Sequence, residues 1–373
     1  MGAECQPQPL VASTAQLEPQ THRGQKLTGT VLAVQANYYF VRLDPGCYPP
    51  GLSDMLLCTR RSRLRKIGQR VWVGDRVEIE EPDWAGQRGA IAQVFPRRSE
   101  LDRPPVANAD QILLVFALAE PALDPFQLSR FLVKAESTGL SVCLCLNKCD
   151  LLTETELTAW GDRLRQWGYA PLMVSVREGL GLDQLAPRLA QQITVVSGPS
   201  GVGKSSLLNA LIPEVDLRVG AVSGKLQRGR HTTRHVELFE LPTGGLLADS
   251  PGFNQPDLDC TPVELAHYFP EARQRIEQAA CQFSNCLHRE EPDCAVRGDW
   301  ERYEHYRIFL EEAIARQESQ ERTRDAESTT KQKSRQDGQT ETEPKLERKK
   351  YRQPSRRVEK QRLQDWELEA EEE

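Results

Sequence analysis

The sequence has no long apolar run. It contains no stretch of the roughly 18 apolar residues that a membrane-spanning helix needs. Near its start only residues 9–12 are apolar, which is too short for a signal peptide, and Gln6 does not fit the myristoylation pattern. We therefore expect a cytoplasmic protein that makes no membrane contact. Its ten cysteines are then expected to be reduced, so a Cys/His cluster is more typical of a metal site than of disulfide bonds.

An excess of positive charge is also missing. The chain has 48 Lys and Arg against 54 Asp and Glu, a net charge of -6, so nucleic-acid binding requires local basic patches. One patch lies in residues 24–97, where five short predicted strands are typical of an OB-type barrel. The patch comprises Arg60, Arg61, Arg63, Arg65 and Lys66, with Tyr38, Tyr39 and Phe40 on a neighbouring strand. RNA contact and a solvated loop beside core aromatics are equal alternatives for it.

A phosphate-binding motif, G-x-x-x-x-G-K-S, lies in the middle of the chain. An apolar, β-rich segment precedes it and apolar residues at helical spacing follow it, which is the context that a phosphate loop requires. Its residues are Gly198, Pro199, Ser200, Gly201, Val202, Gly203, Lys204, Ser205 and Ser206. We expect Lys204 to contact the β- and γ-phosphates and the Ser205 hydroxyl to ligate Mg²⁺.

A second motif, N-K-x-D, follows a buried apolar strand predicted over residues 141–146. It consists of Asn147, Lys148, Cys149 and Asp150. The Asp150 carboxylate can accept hydrogen bonds from guanine N1–H and N2–H₂, whereas adenine offers no such pair of donors. Lys148 is expected along the base plane and Asn147 between the neighbouring loops. At the end of a later strand, Ser175 and Val176 are expected to back the guanine.

Two segments after the phosphate loop are candidates for sensing the γ-phosphate. Residues 219–235 are polar and basic, and Thr232 or Thr233 could ligate Mg²⁺ there, although a plain polar loop is the alternative. The D-x-x-G sequence from Asp249 to Gly252 follows a predicted hairpin. Asp249 is expected to hold Mg²⁺, commonly through water, and the Gly252 N–H to meet the γ-phosphate.

The order of these motifs is unusual. N-K-x-D precedes the phosphate loop by about 50 residues, whereas it comes late in most small GTPases. This order indicates a circular permutation of the same sheet. The D-x-x-G segment then leads directly into the next domain, so we expect nucleotide state to move that domain.

The next domain has metal-ligand spacing. The pattern C-x₄-C-x-H-x₅-C comprises Cys281, Cys286, His288 and Cys294. Three thiolates and one imidazole suit a closed, structural Zn²⁺ site, one per chain, rather than a catalytic zinc with an open position. Helices over residues 261–268 and 300–315 are predicted to pack on it.

These features predict a multidomain α/β protein. Residues 1–23 and 317–373 are predicted to be disordered tails, because apolar residues are scarce there. Between them we expect the barrel (24–97), a circularly permuted P-loop GTPase domain (98–258) and a helical zinc-binding domain (259–316). The second tail has a basic block that is either a nucleic-acid contact or simply solvated.

The barrel, the permuted motif order and the C-x₄-C-x-H-x₅-C pattern together resemble the ribosome small-subunit-dependent GTPase A family (RsgA, also called YjeQ). The resemblance covers residues 24–315, and both tails depart from it. It implies binding to the small ribosomal subunit and its rRNA, late maturation of that subunit, and hydrolysis of GTP to GDP and phosphate that the ribosome stimulates. We expect a monomer with Zn²⁺ and with Mg²⁺ bound to GTP.

The resemblance also bears on catalysis. Many GTPases have a water-orienting Gln after D-x-x-G, whereas this chain has Phe253, so turnover without the ribosome should be slow. His231 is the candidate that matches the family for orienting water, and contact with phosphate alone is the alternative. We hypothesise that His231→Ala abolishes ribosome-stimulated hydrolysis and spares GTP affinity. Equal stimulated turnover in both proteins would refute this.

Two other functions fit parts of the sequence. A non-enzymatic, zinc-containing RNA-binding protein with a passive guanine-nucleotide site would show no stimulation by small subunits. An ATPase would keep its ATP use after Asp150→Asn.

Overall fold

The computed structural model describes residues 26–212, 236–249, 257–327, 330–334 and 340–344. The chain forms two compact units, Met1–Phe309 and Leu310–Glu373. No helix in the described ranges is long and apolar enough to span a membrane.

Five strands at the start of the first unit close into a barrel, which confirms the predicted barrel. They are β1 (Leu27–Gln35), β2 (Tyr38–Leu43), β3 (Met55–Arg60), β4 (Arg76–Asp83) and β5 (Arg88–Val94), in the order β1-β2-β3-β5-β4. Inward-facing apolar residues such as Val31, Val41 and Ile91 are fully buried, as expected for strands with one face toward a core. A short helix, α1 (Ser62–Lys66), follows β3 and carries part of the basic patch.

The segment between barrel and sheet has regular structure of its own. It forms a small pair of strands, β6 (Glu100–Asp102) and β7 (Pro105–Ala107). Before it, the Arg97 guanidinium donates to the fully buried Asp75 carboxylate, with Nε 2.7 Å from Oδ1. A buried carboxylate needs such a partner to offset its lost hydration, so this ion pair fixes the exit from the barrel.

The second part of this unit is a six-stranded sheet, the α/β class that the sequence predicts. Its strands are β8 (Gln111–Ala117), β9 (Ser141–Asn147), β10 (Leu172–Met173), β11 (Ile193–Ser197), β12 (Leu238–Glu240) and β13 (Leu246–Asp249). The order is β10-β9-β8-β11-β13-β12. All neighbouring pairs are parallel except β12 with β13.

Both faces of the sheet are covered by helices, which explains the unbroken apolar run of β8. Alternate residues of a strand point to opposite faces: Phe116 packs in one apolar cluster with Phe131, and Val115 packs in the other with Leu207. The helices are α2 (Pro125–Glu136), α3 (Glu154–Gln166), α4 (Leu182–Leu189) and α5 (Lys204–Leu211).

The barrel contacts the sheet at β12. Ala33 of β1 forms an isolated antiparallel bridge with Glu237, and Arg42 of β2 forms an ion pair with Glu240. Val73 and Val106 pack there with Leu238 in a shared apolar cluster. The strand that follows residues 213–235 is therefore held by the barrel.

The helices beyond the sheet differ from the prediction. The helix predicted over residues 261–268 is wrong in extent, since only a 3-10 helix, Leu265–Tyr268, forms there. Pro270 disfavours helical backbone at Phe269, which is extended (φ -111°, ψ 112°), and Pro270 instead begins a separate helix, α6 (Pro270–Gln278). The long helix α7 spans Tyr303–Glu327.

The second unit contains the end of α7 and two antiparallel strands, β14 (Thr330–Ser334) and β15 (Thr340–Pro344). The sequence predicts disorder from residue 317, whereas these described residues have regular structure. Side-chain pairs at i,i+4, such as Gln317 with Glu321 and Glu318 with Arg322, support this exposed helix end. The domain limits given above remain predictions.

Candidate functional site

The sequence motifs meet at one edge of the sheet. β9 ends at Asn147, β11 at Ser197 and β13 at Asp249, and the carboxyl ends of parallel strands lie on the same side. Ligands of open α/β sheets bind at this edge. The strand order therefore brings together three motifs that lie about 50 residues apart in sequence.

Glycines shape the phosphate loop. Gly198, Gly201 and Gly203 have φ of 144°, 82° and 96°, a region that other residues rarely adopt. A Cβ on Gly198 would lie 2.0 Å from the Val115 carbonyl oxygen. The loop therefore needs glycine for its conformation and for its close approach to β8.

Lys204 begins helix α5 directly after this loop. Its ammonium donates to the Gly198 and Pro199 carbonyls, with N···O distances of 2.8 and 2.6 Å. Ser205 in the same turn is exposed, Ser206 is partly buried, and Ser200 is exposed at the tip of the loop. A glycine-rich loop that leads into a helix N-terminus presents backbone N–H groups to an anion, so this arrangement can hold phosphate groups.

Asn147 joins three loops. Its side chain is buried, its Nδ2 donates to the Val202 carbonyl at 2.9 Å, and its Oδ1 accepts from the Val176 amide at 3.3 Å. The missing Cβ of Gly203 would lie 2.4 Å from the same Nδ2. One amide thus fixes the phosphate loop and the Ser175–Val176 loop relative to the N-K-x-D motif.

The rest of N-K-x-D turns sharply after β9. Lys148 has a left-handed φ of 62°, and Cys149 to Leu151 form one turn of 3-10 helix. The Cys149 amide donates to the Val174 carbonyl at 3.2 Å, and burial raises the pKa of the Cys149 thiol, which keeps it neutral. Asp150 is only partly buried, so its carboxylate remains available to accept hydrogen bonds from a ligand.

The loop after β10 lies beside this turn. Ser175 is fully buried, and its Oγ accepts from the Glu178 amide at 3.1 Å. The backbones of Ser175 and Leu180 exchange two hydrogen bonds of 3.0 Å. The position of Val176 is therefore set by a closed turn rather than by a mobile loop.

Several predicted site residues cannot be placed. His231, Thr232, Thr233, Gly252 and Phe253 lie outside the described residues. Asp249 is the last residue of β13, and its backbone pairs with Val196 of the strand that leads to the phosphate loop.

One residue at this edge belongs to no motif. The Lys148 ammonium donates to the backbone carbonyl of Glu120, in the loop that follows β8. No local sequence signal marks Glu120. Only the strand order, with β8 between β9 and β11, places it there.

The four predicted metal ligands converge. The candidate ligand atoms of Cys281, Cys286, His288 and Cys294 all lie within 4.8 Å of one another. His288 Nδ1 is 3.6 Å from Cys281 Sγ and 3.3 Å from Cys294 Sγ. Zinc bonds of about 2.3 Å to sulfur and about 2.0 Å to nitrogen place such atoms about 3.5 Å apart in a tetrahedron. The donor set and its spacing therefore fit Zn²⁺.

The electrostatics of this cluster also suit a cation. Burial raises the pKa of the Cys286 thiol to about 12 and lowers the pKa of His288. The imidazole is thus neutral at neutral pH, as a ligand must be, and a thiolate at Cys286 requires a compensating positive charge.

Helix α7 supports the loop that carries these ligands. The Tyr303 and Tyr306 hydroxyls donate to the carbonyls of His288 and Leu287, each at 2.8 Å. Glu291 accepts from the amides of Leu287 and Arg289 at 2.8 and 2.7 Å. These hydrogen bonds fix the backbone of the loop that carries the ligands, as groups around a metal site commonly do.

The basic patch on the barrel is divided. Tyr39 is buried in the barrel core, which agrees with the alternative that the aromatic residues are core residues. Tyr38, in contrast, is 51% exposed. Arg61 is paired with Glu80 and Glu81. Exposed positive charge remains at Arg63, Arg65 and Lys66 on α1 and its end.

Comparison with known proteins gives consistent matches. The model of the family described as RsgA GTPase matches residues 94–259. The small ribosomal subunit biogenesis GTPase RsgA of Trichormus variabilis is 63% identical, covering 91% of this chain and 96% of that protein. The protein of the same name from Synechocystis sp. is 56% identical, with coverages of 91% and 94%.

Two solved structures are also similar. The crystal structure of YjeQ from Thermotoga maritima has a TM-score of 0.66 at 32% identity, and covers 78% of this chain and 99% of its own. YloQ, described as a circularly permuted GTPase, has a TM-score of 0.66 at 30% identity, with coverages of 80% and 99%.

Proposed function

The chain belongs to the RsgA GTPase family, and on that premise we propose that it is a GTP hydrolase that binds the small ribosomal subunit and acts in its late maturation. The observation that carries the proposal is the convergence of N-K-x-D and the phosphate loop through one buried residue, Asn147. A guanine base and a triphosphate can then be bound by one connected set of residues.

Recognition begins with the base. The Asp150 carboxylate accepts hydrogen bonds from guanine N1–H and N2–H₂, Lys148 lies along the base plane, and Ser175 and Val176 back the ring. The loop Gly198–Ser206 surrounds the phosphates with backbone N–H groups, and Lys204 exchanges its two carbonyl partners for the β- and γ-phosphates.

Hydrolysis depends on the γ-phosphate. Ser205, Asp249 and one of Thr232 or Thr233 are the residues that would hold Mg²⁺, which would supply positive charge against the charge that develops on the phosphates in the transition state. Gly252 meets the γ-phosphate, and His231 orients the attacking water. Phe253 cannot orient water, which makes turnover slow without the ribosome.

The other domains provide contact with rRNA. The exposed cations of α1 and Tyr38 form one surface on the barrel, and the Zn²⁺-held loop forms part of a second domain. The zinc is structural, because four protein donors leave no open position. The protein works in the cytoplasm as a monomer.

The test is the rate of GTP hydrolysis against added small ribosomal subunits, with Lys204→Ala as the inactive control. We expect a slow basal rate that rises with subunit concentration in the wild type alone. A rate that small subunits leave unchanged would contradict the proposal and favour a passive nucleotide site in an RNA-binding protein.

A further inference from the structure

The loop after β8, residues 118–124, lies between the two halves of the nucleotide site. β8 pairs with β9 on one side and with β11 on the other, all in parallel. Strands in a sheet are about 4.8 Å apart, so the loops after β9 and β11 are separated by about 9.6 Å at the sheet edge. On the proposed function, the part of the nucleotide between base and phosphates lies at that gap.

This loop contacts both neighbours. The Leu118 amide donates to the Asn147 carbonyl at 3.0 Å, and the Glu120 carbonyl accepts from the Lys148 ammonium. On the other side, Pro121 Cδ lies 3.9 Å from where a Cβ on Gly201 would be. Leu118 and Glu120 thus contact the base-binding motif, and Pro121 lies beside the phosphate loop.

The loop is anchored at both ends and constrained at its centre. Leu118 and Leu123 are 5% and 8% exposed, and the Leu123 amide donates to the Leu118 carbonyl at 3.4 Å. Asp124 caps helix α2 through the Phe126 amide at 2.9 Å. Between the anchors, Glu120 has a φ of 51°, which is unfavourable for a residue other than glycine, asparagine or aspartate.

That conformation directs the Glu120 carbonyl to Lys148. The Glu120 side chain is exposed, whereas its backbone oxygen is the hydrogen-bond acceptor. Lys148 itself has a flexible stem, so a fixed acceptor limits where its ammonium lies. The useful group at this position is therefore a main-chain oxygen, which explains why no side-chain motif reveals it.

We propose that Glu120 is a positioning residue of the nucleotide site, whose backbone carbonyl holds Lys148 in the place where it lies along the base. The inference rests on the proposed function, because it assigns a part of the same site. It acts on the base half of the nucleotide and therefore affects GDP and GTP alike.

Two variants separate the carbonyl from the carboxylate. Glu120→Val and Glu120→Asn both remove the carboxylate, but only valine resists a positive φ, since asparagine tolerates it. Binding of fluorescently labelled GDP is measured for both, in the wild-type background and in Lys148→Met. Thermal unfolding of each variant reports whether it is folded. If Glu120→Val is not folded, Glu120→Ala takes its place, because alanine also disfavours positive φ.

We expect Glu120→Val to weaken GDP binding about tenfold, the worth of one hydrogen bond to a charged group, and Glu120→Asn to bind like the wild type. In the Lys148→Met background the two variants should bind equally. Equal weakening by valine and asparagine would assign the effect to the carboxylate and overturn the inference. The inference would also be overturned if Glu120→Val still weakened GDP binding in the Lys148→Met background. It would be overturned as well if Glu120→Val bound GDP with wild-type affinity. A wild type that binds no GDP would instead reject the proposed function.

Discussion

The side-chain amide of Asn147 donates a hydrogen bond to the Val202 carbonyl at 2.9 Å, across 55 residues of sequence. The first residue of the N-K-x-D motif is thereby bonded to the phosphate loop, while its own oxygen holds the Val176 amide. The N-K-x-D motif and the phosphate loop therefore share one hydrogen-bond network, although they are encoded in permuted order.

Asn147→Ala should damage both halves of the site. It leaves the buried Val202 carbonyl and the partly buried Val176 amide without their partner, and a buried group left unsatisfied costs about 1–3 kcal/mol of unfolding free energy. We expect GDP affinity to fall about tenfold or more, measured by titration alongside urea unfolding. Gln127→Ala, on the exposed face of α2, is the control. Unchanged GDP affinity in Asn147→Ala would show that the bridge is not needed.

Gly198→Ala tests close packing in the phosphate loop. A Cβ there meets the Val115 carbonyl at 2.0 Å, whereas a Cβ on Gly139, which also has positive φ (72°), meets nothing within 4 Å. Gly139→Ala should therefore lower the unfolding free energy only by the cost of a positive φ in alanine, about 1 kcal/mol. Gly198→Ala should lower the unfolding free energy by more and abolish nucleotide binding. Similar unfolding free energies and retained GDP binding in both variants would contradict this.

Cys294→Ser should remove the metal. With one of four ligands lost, zinc content measured by atomic absorption should fall from one per chain to near zero, and the melting temperature should fall because structural zinc contributes folding free energy. Cys47→Ser, which lies outside the cluster, should keep the zinc content and the melting temperature of the wild type. A chelator should lower the melting temperature of the wild type to that of Cys294→Ser. Full zinc content in Cys294→Ser would rule out this site.

The pH dependence of stability should include His305. Burial lowers its pKa from about 6.5, and its Nδ1 lies 2.9 Å from the Oγ of buried Ser129. As pH falls below about 6.5, the unfolded chain takes up a proton that the folded chain does not, so the unfolding free energy decreases. The nearby charges are Arg302, Glu301, Asp124 and Arg163.

His305→Gln keeps a polar partner for Ser129 and cannot titrate. Its unfolding free energy, from urea titrations of zinc-loaded protein between pH 5 and pH 8, should therefore decline less on acidification than that of the wild type. Parallel declines in the two proteins would exclude His305 as a contributor.

The sequence marks the candidate site where its chemistry is local. The phosphate loop needs glycines and N-K-x-D needs a carboxylate, so residue types reveal them, and the parallel strands bring Asn147 and Val202 to one edge. Contacts between distant segments are not predictable in this way. Nothing local indicates that Ala33 pairs with Glu237 or that Glu120 faces Lys148, since those contacts depend on how the barrel and the strands assemble.

The helical region shows the same limit. The helix predicted over residues 261–268 forms only as a 3-10 helix, Leu265–Tyr268, and a helix that was not predicted, α6, begins at Pro270. Arg302 is fully buried between Trp167 and Phe269, each 4.8 Å from its guanidinium carbon, and is paired with Glu271. Nothing in the sequence distinguishes this buried arginine, which directly precedes α7, from an exposed arginine on that helix such as Arg307.

The most direct test of the central claim, one site whose base is selected by Asp150, is a competition titration. Zinc-loaded protein with labelled GDP is titrated with unlabelled GTP, GDP, ATP and ADP, and the same is done with Asp150→Asn. We predict that guanosine nucleotides displace the label at concentrations roughly 1,000-fold or more below adenosine nucleotides, and that Asp150→Asn loses this preference. Equal displacement by guanosine and adenosine nucleotides in the wild type would contradict the assignment.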